Sequence, residues 1–213
     1  MMRAPVPLRK PSGEVDGRTL RTTRTRRLVV EALLDLLEAG EPQPTAQQVS
    51  DRCGVSMRSI FRLFEDVEAM HAAAVAAQID RVGHLLVPLD RTGSLATRVK
   101  ALVDSRAKLF ETISPVRRMA VRIASTSPTI RADLAVANGF LRAQVVELFD
   151  AELRALPSAQ RRDVVDVLDV ASSWETWERL RSAQGITDRR ARRLVAGLLS
   201  CTLAGGPDAG RSS

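Results

Sequence analysis

The chain has 213 residues, 45% of them hydrophobic, with 32 Lys or Arg against 25 Asp or Glu and a formal charge of +7. That length can bury about 70% of the unfolded surface, and no uninterrupted apolar run reaches the roughly 18 residues of a membrane span. Cys53 and Cys201 lie too far apart for a metal-ligand spacing or a disulfide framework and suit a reducing compartment, so no metal, no cofactor and a cytoplasmic location are expected.

The chain starts basic. Residues 1–30 hold eight basic and two acidic side chains, which favours an anionic partner with nucleic acid foremost. Residues 1–18, with Pro5, Pro7, Pro11, Gly13 and Gly17, read as a disordered arm and carry no apolar core of the kind a secretory leader needs. A helix is predicted from Thr19 to Ala39 on the apolar stripe Val29, Ala32, Leu33 and Leu36, broken by Gly40 to Pro44. Thr45 and Gln48 form a capping box for the next helix. Asp66 caps a helix predicted to reach Val87, and Ser94 starts one over Leu95–Ile113, followed by a shorter one over Pro115–Ala124. Ser127-Pro128 opens the next, to about Leu156. One helix is predicted from Ser158 to Gln184 and the last over Asp188–Leu203, before a polar tail. No stretch alternates with period two, so the fold class is all-α.

The most informative stretch is Val49 to Phe64. Gly54 stands where a helix must stop in the left-handed conformation, Ser56 offers an oxygen to the free amides of the next helix, and Val49, Val55 and Ile60 plug the two helices together. This order predicts a helix-turn-helix, whose second helix enters a DNA major groove. The segment VSDRCGVS is similar to the IAxxAGVS pattern of TetR-family transcriptional regulators, and SIFRLF to their TLYxHF. Residues from about Arg24 to Ala76 carry the resemblance, and Ser173 to Thr187, with SWETWERLR and GIT, is similar to segments in some TetR-like proteins.

The resemblance implies an N-terminal three-helix domain over 19–66 and a larger helical ligand-binding and dimerisation domain over 67–204; the tail over 205–213 reads as disordered from its polar composition. It implies a homodimer on a palindromic double-stranded DNA operator, acting as a repressor released by a small-molecule effector, with no membrane role. Where the family has Tyr, His and Lys, this chain has Phe61, Leu63 and Val67, so DNA contact is expected to lean on other residues. The expected DNA-binding set is Arg24, Arg26, Arg27, Thr45, Val55, Ser56, Met57, Arg58, Ser59, Phe61 and Arg62, with Arg58, nearer the recognition-helix start than Arg62, the expected base reader.

Phe110, Met119 and Phe140 are candidates for an effector pocket, against plain core packing. Val167, Val170, Trp174, Trp177, Leu194, Val195, Leu198 and Thr202 fall on the broad faces of the last two predicted helices and are the expected dimer interface, with a ligand cage as the alternative for Trp174 and Trp177. Two other classes compete. One is a sequence-tolerant, nucleoid-type DNA-binding protein. The other is an all-α enzyme, for which the chain offers no phosphate-binding Gly loop, metal cluster or His-paired nucleophile.

Overall fold

The computed structural model describes residues 17–205, and all regular structure among them is helical. The arm expected over 1–18 and the tail expected over 205–213 lie, but for residues 17, 18 and 205, outside that range. Helix α1 (Gly17–Glu38) buries Val29, Val30, Ala32, Leu33, Leu34 and Leu37, an apolar face broad enough to meet several neighbours. It ends before Gly40, which takes a φ of 96° that a side-chain-bearing residue would resist. Helices α2 (Ala46–Cys53) and α3 (Met57–Leu63) follow. The Asp66 carboxylate accepts the Ala69 amide at 2.7 Å and starts α4 (Val67–Val82). That helix stops five residues short of the predicted Val87: at Gly83 it tightens into a single 3-10 turn, Gly83–Leu85, ahead of Pro88.

Helix α5 (Leu95–Ile123) replaces two predicted helices with one. Pro115 removes the amide that would bond the Glu111 carbonyl, yet the helix runs through it. Leu109, Phe110, Val116, Met119 and Ala120 on both sides of it are all enclosed, and that packing offsets the lost bond. Helix α6 (Pro128–Leu148) starts at the predicted Ser127 cap, and a break at Phe149 separates it from the short α7 (Asp150–Arg154). The helix predicted from Ser158 to Gln184 is divided. Helix α8 (Ser158–Ala171) ends at Ser172, and Ser173 caps α9 (Trp174–Glu178) by accepting the Thr176 amide. A π-helical turn, Arg179–Ala183, and Gly185 at φ 63° lead to α10 (Asp188–Gly205).

Two apolar cores organise these helices. The first joins α1 to α4 with Val116, Met119 and Ala120 of α5 and Ile130 of α6. The second joins α5, α6, α8, α9 and α10 around Phe110, Phe149, Leu168 and Trp177. Emptying one of these aromatic sites would cost about 3–5 kcal/mol. Both Trp residues belong to the second core: the Trp174 indole donates to Ser114 Oγ at 3.0 Å and the Trp177 indole to Glu111 Oε1 at 3.0 Å. Among the described residues, no helix is long and apolar enough to cross a membrane.

Candidate nucleic-acid interface and core cavity

The turn chemistry of α2 and α3 follows from four side chains. Thr45 accepts the Gln48 amide while the Gln48 side chain accepts the Thr45 amide at 2.8 Å, closing the capping box. Gly54 adopts φ 68°, and its amide reaches the Ser50 carbonyl. The Ser50 hydroxyl spans the turn to the Val55 carbonyl at 2.8 Å, and Ser56 caps α3 through the Ser59 amide. Val49 and Ile60 are fully enclosed, and Cys53, Val55 and Met57 pack against the same core. What remains outward on α3 is Arg58, Phe61 and Arg62, a face of two guanidinium groups and an aromatic ring that is 47% exposed.

The expected DNA-binding residues therefore separate into two kinds. Arg24, Arg27, Arg58 and Arg62 are exposed and have no hydrogen-bond or ion-pair partner among the described residues. Thr45, Ser56 and Ser59 are occupied by capping, Val55 and Met57 are half-buried, and Arg26 is held elsewhere. Its Nη1 donates to the Leu63 carbonyl at 2.8 Å and its guanidinium lies over the Phe64 ring. Arg26 thus ties α1 to the C-terminus of α3, a role that a count of basic residues does not distinguish from phosphate contact.

A cavity of about 350 Å3 lies along the seam of the two cores, within the usual range for small-molecule sites. Val75, Gln78, Ile79 and Val82 of α4 form one wall, and Leu109, Ile113, Val116, Arg117 and Ala120 of α5 another. Asp133, Leu134, Val136, Ala137, Phe140 and Leu141 of α6 form a third. Phe140 lines the cavity, whereas Phe110 and Met119 do not: both are fully enclosed in the cores. The cavity's polar lining residues, Gln78, Arg117 and Asp133, come from three helices and share no local sequence pattern. Helix α4 serves both sites. Its first half packs Met70, His71 and Ala74 under the helix-turn-helix, and Arg81 near its end pairs with Glu31 and Glu38 of α1.

The residues expected at a dimer interface also divide. Trp174, Trp177 and Val195 are buried within the single chain, which withdraws them from any exposed surface. An amphipathic face does not reveal whether its partner is intramolecular, and here α5 and α8 supply it. Val167 and Val170 of α8 and Leu194 and Leu198 of α10 do face outward, with Val170 at 66% exposed. Thr202 is half-buried and bonds its own helix at the Leu198 carbonyl. Gly197 sits between the two exposed leucines with open space beyond it.

No family profile matches the chain, and no curated protein is similar to it. Solved structures are. A transcriptional regulator from Rhodococcus sp. Rha1 superposes at TM-score 0.67 and 17% identity, covering 85% of this chain and 97% of its own. A TetR-family transcriptional regulator from Streptomyces coelicolor superposes at 0.65 and 17% identity, covering 88% and 86%. A chain from Mesorhizobium loti assigned to the TetR-family regulators superposes at 0.61 and 14% identity, covering 86% and 97%. The fold is that of TetR-family transcriptional regulators.

Proposed function

We propose that the protein is a TetR-family transcriptional regulator, a cytoplasmic homodimer that binds a palindromic operator and represses transcription until a small molecule releases it. The observation that carries this reading is the outward face of α3. Arg58 and Arg62, one helical turn apart and unpartnered among the described residues, flank an exposed Phe61 on a fully capped helix-turn-helix. Guanidinium groups on such a face suit bidentate contact with guanine O6 and N7, and an aromatic ring suits apolar contact with a thymine methyl. Arg24 and Arg27 on α1 supply phosphate contacts.

One seven-residue recognition helix reads too few bases for useful specificity, so two-fold pairing is required. The exposed Val167, Val170, Leu194 and Leu198 give α8 and α10 an outer apolar face suited to a four-helix contact with a second copy. Release works through α4, which lines the cavity with Gln78 and Val82, places Met70 in the core shared with Ile60 of α3, and holds the Pro44 carbonyl ahead of α2 through His71. A ligand that prefers a different seating of α4 changes the separation of the two recognition helices, and ordinary coupling needs a preference of about 1–3 kcal/mol.

Sequencing the genomic fragments that the purified protein selects tests the proposal. A recurrent palindrome with half-sites about one or two helical turns apart supports it. Enrichment without a motif would instead assign a sequence-tolerant binder.

A further inference from the structure

We propose that the cavity between α4, α5 and α6 takes a lipophilic monocation, an organic ammonium or related onium compound, whose charge is matched by Asp133. This rests on reading the cavity as an effector site and concerns the chemistry of its occupant. Gln78, Arg117 and Asp133 are the three polar residues in an otherwise apolar lining. Arg117 is already engaged. Its Nη2 donates to Asn138 Oδ1 at 2.7 Å and to Glu175 Oε1 at 3.2 Å, and its guanidinium lies 5.5 Å from the Trp174 ring centroid. The Nε of Arg117 has no partner, but it is sealed within the protein and presents no surface to a ligand. Gln78 donates its amide to the Thr112 carbonyl at 3.3 Å, which leaves its side-chain oxygen as an acceptor.

Asp133 differs from both. It has no hydrogen-bond or ion-pair partner among the described residues, and it is half-buried at the cavity wall. With Arg117 offset by Glu175, the wall carries one unmatched negative charge. An anionic ligand would add a further negative charge, and a neutral one would strip water from the Asp133 carboxylate and give it nothing in return. A cation removes that penalty. The half-exposed Phe140 ring, two helical turns from Asp133 on the same face of α6, offers the cation a second favourable contact.

The test uses three compounds of similar shape: phenyltrimethylammonium, its uncharged isostere tert-butylbenzene, and the anion 4-tert-butylbenzoate. The chain has two Trp and no Tyr, so its fluorescence reports from Trp174, in contact with cavity-lining Arg117, and Trp177. The full-length protein should bind the cation at least about tenfold more tightly than the neutral compound, with the anion weakest. Asp133→Asn, which preserves shape, should abolish that preference while leaving affinity for the neutral compound within about threefold. Absence of cation binding, equal or tighter binding of the neutral compound or the anion, or a preference that survives in Asp133→Asn would overturn the proposal. Asp133-dependent cation binding that leaves DNA affinity unchanged would uphold the cavity chemistry and count against ligand-controlled DNA binding instead.

Discussion

The Arg26 guanidinium lies 4.3 Å from the centroid of the Phe64 ring, with its Nη1 donating to the adjacent Leu63 carbonyl. One side chain on α1 thereby closes the C-terminal end of α3, where carbonyls lack helical partners. The position of α3 relative to α1 depends on this contact as well as on the apolar plug. Arg26→Ala should lower unfolding stability by about 1 kcal/mol, measured by urea or thermal melting. Arg26→Lys keeps the charge but loses the planar stack, so it should recover little of the loss. A Lys variant as stable as the parent would show that the stack contributes nothing.

Arg24 and Arg27 sit on the same helix without such engagement. Each phosphate neutralised releases counterions and contributes about 0.9 to the slope of log affinity against log salt. Replacing both by Ala should flatten that slope by about 2 while leaving the melting temperature unchanged. An unaltered slope would return these residues to a simple solvated helix end.

Glu152 holds the buried Arg98. The Arg98 guanidinium donates through both terminal nitrogens to the Glu152 carboxylate and also to the Leu148 carbonyl at 2.8 Å. Glu152→Ala leaves that charge enclosed without a counterion and should cost about 3 kcal/mol. The same hydrogen bond from Arg98 holds the Glu152 carboxyl below its ordinary pKa of 4.5, outweighing the opposing effect of burial. The folded state therefore gains from ionised Glu152 above pH 4.5 and loses that gain as pH falls through the lowered value. Acid unfolding of Glu152→Gln should lack this component, and matching pH profiles would contradict the pairing.

His71 is buried under the helix-turn-helix, with Nε2 3.1 Å from the Pro44 carbonyl oxygen, where a neutral ring donates. Burial depresses its pKa from 6.5, and the Pro44 bond opposes this only in part. The unfolded chain therefore takes up a proton first as pH drops below 6.5, and stability declines from there towards the folded value. Between about pH 7.5 and 5 the parent should lose more melting temperature than His71→Gln. Equal losses would remove His71 as the source.

Legibility in the sequence follows the range of the signal. The helix-turn-helix is readable because Thr45 with Gln48, Gly54 and Ser56 act on amides within four residues, and those short-range bonds all form. The division of α8 from α9 carries a comparable signal in Ser173, whose hydroxyl accepts the Thr176 amide. It is masked because the apolar periodicity runs on from Val170 through Trp174 and Trp177. Pro115 misleads in the opposite sense, since its helix-breaking tendency is overruled by burial of the residues around it. The cavity has no local signature at all: Gln78, Arg117 and Asp133 meet through packing alone. For the same reason Phe140 is identifiable only as a large apolar residue, with nothing to separate it from Phe110.

A DNA-reading role for the exposed face of α3 makes sequence preference depend on Arg58. The most direct test is the affinity of the protein for a self-selected genomic fragment relative to a shuffled duplex of equal length, at fixed salt, for the parent and for Arg58→Ala. The parent should prefer its own fragment by at least about a thousandfold, reduced in Arg58→Ala by about 1–3 kcal/mol per half-site. Equal affinity for both duplexes, or a preference untouched by Arg58→Ala, would contradict it.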